Sequence, residues 1–338
     1  MMESLVCLKP GELQYRHMAA PQLAKGQAII KIKRVGVCGT DLHAFEGTQP
    51  YFSYPRILGH ELSGDLIDAD GAPGFVPGEK VTIIPYFNCG HCIACRNGKP
   101  NCCVQINVCG VHSDGALTEY LSVPSYSLLH SQGLGYEELA LVEPLAIGAH
   151  GIRRAAVQPD EFVLVVGAGA IGLGTMEFAR IAGGRVIALD VNNERLQFCK
   201  DRLQIPHVIH ARDEDVPARI DEITGGDGCT VVIDATGNLG AINHALRYLS
   251  HGGRYVLIGL QKEPFSFSHP EFHKRESTLM SSRNATREDF QLVMRAIKAG
   301  HVQPETYITH HVPFHEVSHS FSSWLPPAAG IIKVMITL

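Results

Sequence analysis

Residues 161–174 read EFVLVVGAGAIGLG, and this stretch decides half of the fold. Apolar residues 162–166 run straight into Gly167-Ala168-Gly169-Ala170-Ile171-Gly172, which opens a helical pattern. In a strand–turn–helix setting, G-x-G-x-x-G predicts a dinucleotide-binding turn. Gly167 makes the tight turn, Gly169 lets backbone approach a pyrophosphate, and Gly172 lets helix and strand pack closely. Ala170 and Ile171 start the helix, whose unpaired N–H groups and positive end suit phosphates. Asp190 closes the next apolar run, 21 residues after Gly169. An acid there accepts hydrogen bonds from both adenosine ribose hydroxyls and repels a 2′-phosphate, which favours NAD over NADP. Arg195, early in the next helical segment, either stacks near the adenine or faces solvent.

Downstream, RVIALD, HVIH, CTVVIDAT and GRYVLIGL are short apolar runs, with helices expected at about 169–183, 192–203, 213–224 and 238–250. That alternation predicts an α/β, doubly wound parallel sheet. Upstream, residues 1 to about 145 hold short β-like runs (28–37, 62–68, 80–85, 117–123) between Gly- and Pro-rich turns, as in an irregular β domain. After residue 284 a helical stretch, 286–300, leads to the terminal run IIKVMITL, an apolar strand that needs a partner. The expected organisation is a nucleotide domain at 147–286 inserted into a β domain made of 1–146 and the return segment 287–338.

At 338 residues the chain is long enough for two such domains. Its net charge of −5 gives no electrostatic reason to bind nucleic acid or an anionic membrane. No apolar run approaches the ~20 residues that span a bilayer, and no secretory signal opens the chain. A soluble, cytoplasmic protein is expected. Ten cysteines in a reducing compartment point to metal binding rather than disulfides. Cys89, Cys92, Cys95 and Cys103 are spaced C-x2-C-x2-C-x7-C, a set that closes a tetrahedron around a structural zinc and orders the lobe 88–103. His91 and Cys102 compete for ligation, and spacing does not choose between Cys102 and Cys103.

Two further motifs, Cys38-Gly39-Thr40-Asp41-Leu42-His43 and Gly59-His60-Glu61, offer the thiolate and imidazole that zinc prefers. With the four-cysteine lobe, V-E-P-L at 142–145 and the glycine turn, they make the chain resemble the zinc-dependent medium-chain alcohol/polyol dehydrogenases over essentially its whole length. The resemblance implies a GroES-like, β-rich catalytic domain plus a Rossmann domain, with two zinc ions per chain. It makes Cys38 and His60 ligands of a catalytic zinc, with Glu143 or Glu61 as the acidic ligand, a choice left open. It assigns Thr40 to accept the substrate proton, His43 to relay it, and Thr236 and Gly259 to the cofactor. Hydride would pass from a zinc-activated alcohol to NAD in an interdomain cleft.

Residues 52–61 (FSYPRILGHE), 270–276 (PEFHKRE) and 282–286 (SRNAT) look closest to bacterial sugar-acid 5-dehydrogenases of the L-galactonate and L-gulonate type. That likeness implies an aldonate as small-molecule substrate and a keto-uronate as product. Arg283 and Asn284 are the substrate-binding candidates. Arg283 reads either as a bidentate partner for a carboxylate or as a structural arginine. A starvation-sensing protein of the same branch is also similar. The alternatives are a neutral polyol dehydrogenase of the sorbitol/xylitol type, an L-threonine-type dehydrogenase, and a non-catalytic zinc-stabilised NAD sensor. An edge formed by GRYVLIGL and the following STLMSS run suggests a homodimer or homotetramer.

Overall fold

In the computed structural model, which describes residues 1–325 and 330–338, the chain divides into two units. One comprises Met1–Glu143 with Thr286–Leu338, the other Pro144–Ala285. Residues 326–329, within the expected return segment, lie outside the described residues.

The second unit is built on six parallel strands: Phe162–Val166, Arg185–Asp190, His207–His210, Cys229–Asp234, Leu249–Leu257 and Thr278–Ser281. Counted along the chain, their spatial order is 3-2-1-4-5-6. The central strands are nearly continuous apolar runs because helices cover both faces of such a sheet. The helices Asn193–Asp201, Val216–Thr224 and Leu239–Ala245 start at Asn192, Asp215 and Asn238, whose side chains each accept a backbone N–H of the first turn. Strand order reverses between the first and fourth strands, so their carboxyl ends, at Gly167 and Thr236, flank the crevice where such sheets take ligands.

Two expectations need correction. The helix expected at 238–250 stops at Ala245; a 3-10 turn, Leu246–Tyr248, follows, and Leu249 already pairs with Cys229 as strand. Sheet pairing overrides the helical period there. The strand expected at GRYVLIGL is accordingly Leu249–Leu257, and it is internal; the edge belongs to Thr278–Ser281.

In the first unit the strand Gln27–Gly36 is the hub. One of its edges pairs antiparallel with Glu61–Ala69; the other is shared by Tyr120–Pro124 and the terminal strand Lys333–Thr337. The apolar chain end thus finds the partner it needs, and it also pairs in parallel with Ile308–Pro313. Side chains of these strands, among them Ile30, Ile32, Leu62, Leu66, Val334 and Ile336, form one buried core. Gly36 lies opposite Glu61 in register, and a Cβ at Gly36 would sit 2.2 Å from Glu61 Oε2. The absent side chain at 36 is what lets the Glu61 carboxylate lie over the hub strand. Among the described residues no helix is long and apolar enough to cross a membrane.

Candidate metal centre and dinucleotide turn

Cys38 follows the hub strand and is the N-cap of the helix Gly39–Glu46. His60 immediately precedes the strand Glu61–Ala69. Asp41, given no role by the sequence reading, holds both together. Its buried carboxylate accepts Cys38 N–H at 2.9 Å through Oδ2 and Gly59 N–H at 3.1 Å through Oδ1. His60 Nδ1 lies 3.8 Å from Asp41 Oδ1 and, among the described residues, is buried without a hydrogen-bond partner. The ligand-capable atoms of Cys38, His60 and Glu61 lie within 4.8 Å of one another.

Two more buried residues complete this cluster, and neither was identified from sequence. Lys333, from the terminal strand, places Nζ 2.6 Å from both carboxylate oxygens of Glu61 and 3.1 Å from the Val37 carbonyl. Tyr86, from the short strand Tyr86–Phe87, donates its hydroxyl to Glu143 Oε1 near the start of the helix Val142–Ala155. Burial raises the Asp41 and Glu143 carboxyls above the usual carboxylate range, and His60 opposes it in both. Burial also disfavours a charged His60, yet the sulfur of Cys38 and the carboxylate of Asp41 outweigh it and hold the imidazole well above its ordinary value. A divalent cation would relieve this crowding of acids, and thiolate, imidazole and carboxylate are the donors zinc takes.

Thr40 and His43 are one helical turn apart on Gly39–Glu46 and so share a face. Thr40 is half-buried, whereas the His43 side chain is 62% exposed, with Nδ1 3.1 Å from Thr48 Oγ1 and 3.4 Å from Glu46. The pair runs from the cluster end of the helix toward solvent.

The sulfur atoms of Cys89, Cys92, Cys95 and Cys103 also lie within 4.8 Å of one another. Cys103 is the buried member of this group, whereas Cys102 is exposed and lies outside it. His91 turns Nδ1 to the Cys89 carbonyl at 2.8 Å. Backbone N–H donors, that of His91 first, lower the Cys89 thiol; those of Cys95 and Val104 bring Cys92 to about 6. Burial instead pushes Cys103 up to about 11. A tetrahedral cation is what would hold all four as thiolates.

In the second unit, Gly167 has φ +100°, and a Cβ at Gly172 would sit 1.8 Å from the Gly167 carbonyl oxygen. Both glycines are therefore demanded by the turn itself. Gly169 is different: its φ of −75° suits any residue, and an added Cβ would meet only Arg195 Nη1, at 3.9 Å. Among the described residues no contact requires glycine there. The Asp190 carboxylate accepts Ala168 N–H at 2.6 Å and Asn192 N–H at 2.9 Å, tying the turn to the second strand. Buried Asp234, also unnoticed in the sequence, shapes the facing turn. It accepts the Thr236 hydroxyl at 2.5 Å and Gly237 N–H at 3.0 Å, and a Cβ at Gly259 would strike Gly237 N at 2.1 Å. Arg283 is exposed and Asn284 has φ +53°, both just beyond the edge strand.

Residues 24–132 match the model of the alcohol dehydrogenase GroES-like domain, and residues 170–299 that of zinc-binding dehydrogenases. Over 337 residues the chain is 43% identical to L-galactonate-5-dehydrogenase of Escherichia coli K12, covering 99% of each. It belongs to the zinc-type alcohol dehydrogenase family. The chain is thus a dehydrogenase with the medium-chain, two-domain fold. A further relative, 2-dehydro-3-deoxy-L-galactonate 5-dehydrogenase of Pseudoalteromonas atlantica, is 29% identical over 91% of the chain and 90% of its own length. The crystal structure of the alcohol dehydrogenase rspB from E. coli CFT073, complexed with cofactor NADH, superposes with a TM-score of 0.92 at 29% identity, covering 100% of this chain and 99% of that one.

Proposed function

We propose that this dehydrogenase oxidises a secondary hydroxyl of an aldonate of the L-galactonate or L-gulonate type to a keto-uronate, with NAD as hydride acceptor. The observation that carries this reading is the 43% identity, along both full lengths, to a protein named L-galactonate-5-dehydrogenase. Cys38, His60 and a carboxylate would hold a catalytic zinc, and Cys89, Cys92, Cys95 and Cys103 a structural one. Gly167, Gly169, Ala170, Ile171, Gly172, Asp190, Arg195, Thr236 and Gly259 would receive the dinucleotide, and Arg283 and Asn284 the substrate. Held at the buried cluster, a zinc ion would supply a Lewis acid that lowers the pKa of a hydroxyl, and a dinucleotide at the glycine turn would supply the hydride acceptor. Thr40 accepts the hydroxyl proton, and His43, on the same helix face and open to water, hands it to solvent. Ten cysteines, all free, suit a reducing cytoplasm.

The test is an initial-rate screen with NAD and NADP. L-Galactonate or L-gulonate with NAD should exceed sorbitol and L-threonine by about 100-fold in kcat/KM. Sorbitol or threonine as the best substrate would replace the aldonate reading, and absence of turnover with every substrate would favour a sensor. The glycine turn gives a second check. Gly172→Ala should destabilise the second unit by about 3 kcal/mol, because its Cβ meets backbone that cannot yield. Gly169→Ala should stay close to wild-type stability yet weaken NADH binding about tenfold or more, read by fluorescence titration. Equal NADH affinity for wild type and Gly169→Ala would remove the dinucleotide from this turn.

A further inference from the structure

The cluster holds two candidate acidic ligands, and they are tethered unequally. Glu61 has both carboxylate oxygens on Lys333, whose ammonium is itself fixed by the Val37 carbonyl. Glu61 stands with Cys38 and His60 among the atoms within 4.8 Å of one another, but any oxygen it offers an ion also accepts from this ammonium, which makes it a weaker donor. Glu143 is tethered through one oxygen only, Oε1, by the hydroxyl of Tyr86. Its second oxygen can serve as ligand while the tether stays in place. The tether is rigidly mounted: the Tyr86 ring is buried, packs edge-on against Phe290 at 6.2 Å and 72°, and sits in a strand paired with Val108.

We propose that Tyr86 is a positioning residue for the metal centre. Its hydroxyl fixes one oxygen of Glu143 and so orients the other as an acidic ligand to the ion that Cys38 and His60 would hold. Hydrogen bonds of this kind, from outside the coordination sphere to a ligating carboxylate, set its orientation and commonly contribute 10–100-fold to metal affinity. The inference rests on the proposed catalytic zinc site, and the experiment separates the two.

Tyr86→Phe keeps the ring and its packing and removes only the donor. Zinc release from the purified holoenzyme, followed with a chelating dye, should then show one of two ions held about 10–100-fold more weakly, the other unchanged. In a Glu143→Cys background the same substitution should have no further effect, because the cysteine side chain is shorter and its sulfur falls short of that donor. Cobalt-substituted Tyr86→Phe should show an altered visible spectrum for the weakened ion. If wild type binds no ion at Cys38 and His60, the metal-centre reading itself fails. If wild type binds it and Glu143→Gln weakens it, but Tyr86→Phe holds it within about twofold of wild type, the ligand reading stands and the role of Tyr86 is overturned. An equal loss on Tyr86→Phe in the Glu143→Cys background would also overturn it, by showing a purely structural effect.

Discussion

Cys38→Ser is expected to lower turnover about a thousandfold, to remove one zinc ion per chain, and to leave NADH binding within about twofold of wild type. The size follows from what a zinc ion held there would supply: several kcal/mol of charge stabilisation, of which about 4 kcal/mol corresponds to three decades in rate. Serine is a good choice for the test because position 38 is a helix N-cap, a place serine favours. The Cys38 N–H bond to Asp41 is made by backbone and survives the change. What disappears is the sulfur that lies within 4.8 Å of the ligand atoms of His60 and Glu61. NADH binding should persist because the glycine turn belongs to the other unit, Pro144–Ala285. Metal analysis, fluorescence titration and initial rates on one preparation check all three expectations. Full activity in a variant shown to have lost that ion would refute the role given to the site.

How far the sequence could be read depended on how local each requirement is. The glycine turn was legible because its demands fall within six residues: a positive φ at Gly167 and a contact between Gly172 and the Gly167 carbonyl. Cys38 and His60 were legible only through the family resemblance, since a single cysteine and a single histidine carry no spacing signal. Asp41 stood inside the quoted motif, yet its two backbone contacts depend on a chain crossing between Cys38 and Gly59 that spacing does not announce. Lys333 was the least legible. It reaches Glu61 across 272 residues of sequence, and in IIKVMITL it looks like a lysine on an exposed strand face. The expected helix at 238–250 ran too long for the same reason, because the pairing of Leu249 with Cys229 is invisible to local periodicity.

Lys333→Met should lower the stability of the metal-stripped protein by about 3–5 kcal/mol, the usual cost of leaving one member of a buried ion pair without its partner. Both groups are almost wholly withdrawn from water, at 3% and 0% side-chain exposure. Glu61 cannot swing out to solvent, because it lies over Gly36 within the sheet. For a unit of this size the loss corresponds to a fall of about 10 °C in Tm. Replacing both partners should be far milder than replacing one: Lys333→Met with Glu61→Leu removes the stranded charge and is expected to recover more than half of the loss. The pH dependence has a defined sign. Burial disfavours the charged lysine, but Glu61 and then Cys38 outweigh it, so the folded-state pKa stands above the unfolded one. Stability from this pair is fully present below the unfolded lysine value of about 10.4 and is lost only as pH rises through the higher folded value. The gap between wild type and Lys333→Met should therefore be flat from about pH 7 to 9 and close only in strong alkali. A loss below about 1 kcal/mol, or a gap that narrows near neutrality, would mean that Glu61 finds another partner when Lys333 is removed.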